Sequence, residues 1–406
     1  MINSGNQIWL RKLCRRAMNY AKEKNYTGFS KYDALNSPLL QGITFNNKYL
    51  RLIYTQAVMR APINIRPLFF LPKEKNPKGM GLFAHAYCNL YELWRDPLDR
   101  DQAQYCLNWL LEHKSPGDYS GSCWGYNFGW QTPSFYVQRY APNMVVSTVI
   151  GQALIRAFEV FDDQYYLDIA RNIIEFIRRD LNAFQDEKGL RYYSYTPFDS
   201  SKVINISALG AGLMSRLYEY TYEVSLIEEA RELIRFVVDK QTNYGAWYYT
   251  DPPEHSPLTH DNYHTGFILD SILQYINASG EQQWLPNYYE GLKFYAQELF
   301  LEDGTPKFLY NRIYPIDIHG AAQGIISFSR ASVLEAQYQA KAIQIARYAE
   351  RNMLAEDGHF YYQRLRFFTK RFPLMRWTQA WMSLALSVLL STFKSDRCDS
   401  AKQKGI

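Results

Sequence analysis

The sequence predicts an all-α ring, an (α/α)6 toroid of alternating inner and outer helices with short β-hairpin loops at one mouth. Three observations predict it. Segments that are apolar almost all round begin near Gly79, Asn143, Asn205, Asp261, Asp317 and Arg376, about 55 to 65 residues apart. Amphipathic segments follow the inner ones. Short stretches rich in glycine and aromatics lead from each outer segment into the next inner one. Repeats of this kind stack into a closed ring because no single pair can bury its apolar face alone.

Along the chain, the first helix runs from about Gln7 to Lys24, with Ile8, Leu10, Leu13, Met18 and Tyr20 apolar. Six inner helices but only five later outer ones are found, so this N-terminal helix is expected to pair with the last inner helix. That closure makes residues 1–393 a single toroid domain and leaves 394–406 as a disordered tail. The second inner segment, NMVVSTVIGQALIRAF, shows the inner type: Met144, Val145, Val146, Val149, Ile150, Leu154, Ile155 and Phe158 leave no continuous polar face. Its outer partner, DQYYLDIARNIIEFIRRDL, sets Tyr166, Ile169, Ala170, Ile173, Ile174, Ile177 and Leu181 at helical spacing, while Arg171, Glu175, Arg178 and Arg179 point away. Other outer helices begin near Asp101, Leu226, Leu285 and Ala336. Glycines inside the inner segments, at 151, 210, 212, 266 and 324, each cost about 1 kcal/mol relative to alanine and so predict close helix packing. The connections EKGLRYYSYTPF, NYGAWYYTDPP, EDGTPKFLYNRIYP and EDGHFYYQRLRFF, with GSCWGYNFGWQ before Asn143, read as hairpins gathered at one end.

Composition narrows the function classes. With 34 tyrosines, 23 phenylalanines and 9 tryptophans, the chain suits a large aromatic-lined cleft. Its net charge of +5 is mild and no basic tract resembles a nucleic-acid arm, so nucleic acid is not an expected partner. The five cysteines are odd in number and lack the close spacing of a metal or redox pair. They read as reduced thiols of a cytoplasmic protein. Neither a signal-peptide apolar region nor an apolar run of membrane-spanning length is read in the sequence.

In such a ring, the loops entering the inner helices converge on one mouth, and they carry the chemistry. Trp124, Tyr126, Trp130 and Gln131 lie in the first of these loops, Asn205 in the next, and Tyr263 and His264 with Asp261 in HDNYH. Asp317 and His319 follow in DIHG, then Arg376 and Trp377 after the basic stretch RLRFFTKRF. Asp261 and Asp317, at neighbouring helix starts, could divide acid and base work in one cleft, or could both be helix caps. His260 and His264 are four apart, but at a loop-to-helix junction the geometry of a metal pair is not assured; no metal or cofactor is expected. Tryptophans at the mouth suit stacking on sugar faces, and the planar fork of Arg376 suits a carboxylate.

The segments RPLFFLPKEKNPKGMGLFAHAY, CWGYNFGWQ, PNMVVSTVIGQAL, DNYHTGFILDSIL, DIHGAAQGI and FPLMRWTQAWM resemble the VpsJ-like polysaccharide-biosynthesis proteins, along nearly the whole chain. The resemblance implies a six-hairpin toroid in bacterial surface or exopolysaccharide (including lipopolysaccharide) biosynthesis and assigns no reaction. The resulting expectation is a carbohydrate-active protein for an anionic glycan or sugar precursor. As a glycoside hydrolase it would use Asp261 and Asp317. As a lyase or uronate epimerase it would neutralise a carboxylate with Arg376 and Asn205, and move a proton with Tyr263, His264 or His319. The alternative is a non-catalytic glycan-binding or polysaccharide-assembly partner of a glycosyltransferase complex.

Overall fold

The computed structural model describes residues 2–131 and 136–393; the expected tail at 394–406 lies outside them. Helix α1 (Ile2–Glu23) opens the chain. An excursion over residues 24–76 follows, carrying α2 (Pro38–Ile43) and α3 (Lys48–Arg60). Inner and outer helices then alternate: α4 (Pro77–Trp94) and α5 (Pro97–Glu112), α6 (Met144–Phe161) and α7 (Gln164–Arg179), α8 (Ile204–Thr221) and α9 (Val224–Asp239), α10 (Asn262–Ser279) and α11 (Leu285–Glu298), α12 (Ile318–Ala331) and α13 (Gln337–Met353). The last inner helix, α14 (Trp381–Ser391), is entered through a π-helical turn at Arg376–Ala380. Each inner helix packs on the next and α14 returns to α4, so the inner six form a closed ring. Helix α1 covers α14. It is tied to both flanking outer helices, by Arg15 to Asp99 of α5 and by the Trp9 indole, which donates to Glu350 of α13 at 2.7 Å.

Helix α6 is long and apolar enough to cross a membrane by length and composition, which the sequence reading did not allow for, yet 61% of that window is buried in the ring. An inner helix has protein on every side, and that alone accounts for its composition. Two glycines show how tightly these helices meet. A β-carbon on Gly212 would collide with the Gln274 amide, and one on Gly266 with the Gln323 side chain, so each makes room for a glutamine of the neighbouring helix. Cys14, Cys88, Cys106 and Cys123 are buried free thiols.

Short antiparallel pairings decorate the end where the inner helices begin: Trp130–Gln131 with Tyr136–Val137, Ala183–Gln185 with Arg191–Tyr193, and a three-stranded patch of Ile316–Asp317, Gln363–Arg364 and Thr369–Lys370. The excursion roofs part of this end. Its Phe29, Ala34, Leu40, Val58 and Leu71 form an apolar cluster with Tyr362, Leu374 and Trp377. Arg66 locks it from inside by donating to Asp33 at 2.8 Å, and Lys370 donates to the Met59 and Arg60 carbonyls at the end of α3, 3.1 Å each. Lys370, one of the basic residues of the last loop, is therefore occupied as a helix cap.

Candidate active site at the ring mouth

The mouth is assembled from first-turn side chains. The second residues of α4, α8, α10 and α12 are Lys78, Asn205, Tyr263 and His319, one register repeated around the ring. Tyr263 stacks on His319 with centroids 4.6 Å apart and ring planes 11° from parallel, and also meets the His264 ring at 4.4 Å and the Trp377 ring edge-on at 5.6 Å. Trp377 and Trp381 box His319 at 4.5 and 4.6 Å. Lys78 lies 5.1 Å from the Trp381 ring and 5.6 Å from that of Phe267. Arg376 spreads over Tyr126 at 5.0 Å and reaches Trp377 at 5.2 Å.

The electrostatics are unusual for a core. His319 is 2% exposed and, among the described residues, neither ring nitrogen has a partner. Burial, with Lys78, Lys31 and Arg376 nearby, holds its pKa well below the usual histidine value, so it is a neutral imidazole. Lys78 is buried too; desolvation and the charge of Arg376 push its pKa well below the ordinary lysine value. The Arg376 Nε is buried without an acceptor among the described residues. A third cation, Lys31, comes from the excursion, sits 3.9 Å over the Trp377 ring and lies 3.7 Å from Asp317. Buried polar groups left open in this way cost several kcal/mol together unless a ligand completes them. The positive ends of the inner-helix dipoles point to the same place.

The two aspartates differ. Asp261 and Asp317 both cap their helices, accepting the backbone N–H of His264 and His319 at 3.0 Å each. Asp261 Oδ2 also holds His264 Nδ1 at 2.7 Å, which orients the imidazole. Asp317 is the more heavily engaged: Oδ1 further accepts the Trp377 indole N–H at 2.8 Å, and Oδ2 the Gln363 amide at 2.9 Å. With Lys31 3.7 Å from Oδ2 as well, such a carboxylate is held in its ionised form as a cap and ion-pair partner. Burial keeps the Tyr263 phenol far above its ordinary pKa, so it stays a neutral phenol, a hydrogen-bond donor rather than a base. His260 stands apart, satisfied by the Trp247 carbonyl and the Tyr244 hydroxyl, 2.9 Å each. Among the described residues no three metal-ligand side chains are grouped.

The first loop divides. Tyr126 stacks on Phe128 beneath Arg376, and Trp130 is half-buried, edge-on to Tyr126 at 5.6 Å. Gln131 is buried and accepts a long bond from Arg51 of α3, 3.5 Å. Asn205 is buried with Oδ1 unpartnered. Trp124, expected to stack on a sugar, instead is fully buried and donates its indole N–H to the Leu110 carbonyl at 2.8 Å. It pegs the loop to the outer helix. Trp124→Ala is expected to cost about 3–5 kcal/mol in urea unfolding and to leave saccharide affinity of the folded fraction unchanged.

Lys31 and Lys78 were not anticipated. Lys31 carries no sequence signal, being in the non-repeating excursion. Lys78 could have been found by aligning the second residue of every inner helix, where Asn205, Tyr263 and His319 also fall.

No protein-family model matches the chain, and no curated protein matches it by sequence. Solved structures do match. Cellobiose 2-epimerase from Bacillus thermoamylovorans has a TM-score of 0.60 at 13% identity, covering 78% of this chain and 89% of the epimerase. The GH76 alpha-mannanase of Bacteroides thetaiotaomicron has a TM-score of 0.60 at 13% identity, covering 79% and 87%. A polysaccharide lyase has a TM-score of 0.53 at 12% identity, covering 80% and 91%. At such identities the likeness is one of architecture: the chain is an (α/α)6 toroid, the fold of these carbohydrate-active enzymes.

Proposed function

We propose that the ring mouth is the active site of an enzyme that moves a proton at a carbon of an anionic glycan or glycan precursor, as an epimerase or lyase. The observation that carries this reading is His319, buried and neutral with both nitrogens open, beside Lys78 and Arg376. A neutral imidazole is the form that can accept a proton near neutral pH. His264, aligned by Asp261, supplies a second imidazole, and the Tyr263 phenol between them a donor. In a uronate, Arg376 and Lys78 would bind the carboxylate and stabilise the charge that develops on it as the C5 proton leaves. Returning the proton to the opposite face gives the epimer; expelling the C4 substituent, with a proton to its oxygen, gives the unsaturated sugar. The glycosidase alternative is disfavoured because Asp317 is engaged by three hydrogen-bond donors and by the charge of Lys31 at 3.7 Å. Sugar epimerases and a polysaccharide lyase share the fold, and the segments resembling the VpsJ-like proteins support a role in cytoplasmic steps of surface-polysaccharide synthesis, with assembly proteins as partners.

The test is incubation with uronate polysaccharides and nucleotide-activated uronates in D2O. Deuterium at C5 or an ultraviolet-absorbing unsaturated product is expected. New reducing ends with neither would establish hydrolysis instead, and no conversion of any substrate would leave a binding protein.

A further inference from the structure

The excursion over residues 24–76 turns one side inward and leaves another bare. Leu40, Val58 and Leu71 share one buried cluster, which holds α2, α3 and the turn after Arg66 together as a layer. The outer side chains of this layer are apolar as well. Tyr49 and Ile53, one turn apart on α3, are exposed, as are Ile63 and Leu68 in the connection that follows. Phe45 is 84% exposed and Phe70 76%, each on a left-handed backbone, φ 47° and 53°, where glycine or asparagine would sit with less strain. The last hairpin adds Phe367, 88% exposed in its turn, and Lys370 ties that hairpin to the end of α3. Folding gains nothing from large rings held in water at strained turns. A group of them marks a surface that something else covers.

Charge identifies the cover. The excursion has eight lysines and arginines against two acids, and residues 364–376 have five against none. Those 13 of the chain's 45 cations and 2 of its 40 acids leave 32 cations against 38 acids elsewhere, so the rest of the chain is net negative. Both acids of the excursion are occupied, Asp33 by Arg66 and Glu74 by Arg139, 2.8 Å each. Lys48, Arg60, Lys73, Arg366 and Arg371 are exposed beside the apolar side chains. At the opposite end, the turns from inner to outer helices carry Asp96, Asp162, Asp163, Glu223, Glu281 and Glu335 against Arg95 alone. A second copy meeting the basic face through a two-fold axis would set cation against cation. Separate protruding rings need no matching pocket in a fluid acyl boundary, and the cations around them suit lipid phosphates. We propose that the outer face of the excursion, with the turn of the last hairpin, docks on an anionic lipid membrane, with Phe45, Phe70 and Phe367 entering the boundary between headgroups and acyl chains. This docking needs nothing from the chemistry at the mouth, so it stands or falls apart from the proposed reaction.

Flotation of the full chain with phosphatidylcholine vesicles, and with vesicles that also contain phosphatidylglycerol, tests the proposal. Binding to the anionic vesicles alone is expected, and it should weaken as salt is raised. Phe45→Asn, Phe70→Asn and Phe367→Ser combined should lower the partition tenfold or more. The melting temperature of that triple variant should hold or rise, since asparagine tolerates the left-handed backbone better than phenylalanine. Lys48→Gln and Arg366→Gln should each lower the partition about fivefold. Tyr222→Asn, which removes a ring 75% exposed on a left-handed backbone at the acidic end, should change nothing. No binding to anionic vesicles, equal binding to both kinds, or unaltered binding by the triple variant overturns the proposal. A dimer that the triple variant abolishes, in a protein that leaves the vesicles unbound, overturns it in favour of self-association.

Discussion

Lys78→Met and Arg376→Met are expected to make the protein more stable and less active. Both side chains are 3% exposed, and neither ends on a carboxylate among the described residues. A buried cation without a partner forfeits its hydration and gains little in return. Methionine keeps most of the volume and packs against the same rings of Phe267, Trp381, Tyr126 and Trp377. The gain should be about 1–4 kcal/mol for Arg376, the range seen when buried ionic groups give way to apolar ones. It should be smaller for Lys78, which burial already drives toward the neutral amine. A stability surplus released by deleting a functional group is the mark of a site that is strained until its ligand arrives. The same logic runs in reverse for binding: glucuronate at a hundred times its Kd should add ~2.7 kcal/mol to the wild type and much less to Arg376→Met. Thermal and urea melts of the two variants settle the point, and lower stability in both would mean that the cations are satisfied without a ligand.

The ring was legible because its signal is redundant. Six apolar segments near 60-residue spacing state the inner helices many times over, and Asn143, Asp261 and Asp317 mark three of their starts as caps. What a side chain does at the mouth was much less legible. Trp124 and Trp130 stand six residues apart in one glycine-rich loop, yet one is a buried peg and the other is half-exposed toward Tyr195. The letters are identical; the difference is which neighbour accepts the indole N–H, and that neighbour, Leu110, lies on another helix. The aspartates pose the same problem. Sequence places both at helix starts, while the Trp377 and Gln363 donors that engage only Asp317 come from the last repeat. The excursion escaped altogether, since a segment that occurs once has no period to betray it, and Lys31 went with it.

The largest loss of rate should come from the histidines. His319→Asn and His264→Asn are each expected to lower kcat by about 10²–10⁴-fold, the usual worth of a positioned acid or base. Asp261→Asn should lose less, because it orients His264 without touching substrate. The pH behaviour of stability reports a buried neutral imidazole at His319, and turnover separates a proton-transfer role from packing. Its folded-state pKa lies well below the unfolded value near 6.5, so below pH 6.5 the unfolded chain takes up a proton that the native state refuses. Its contribution to stability is therefore complete above pH 6.5 and falls away as the pH drops from there. His319→Asn should flatten this acid limb in urea melts without abolishing it, because His85, which is shifted in the same direction, remains. Packing alone would give the same acid limb with turnover preserved. A proton-transfer imidazole adds a rate that collapses at neutral pH in the variant. Should both histidine variants turn over at wild-type rates, neither imidazole moves the proton, and the open nitrogens of His319 serve binding alone.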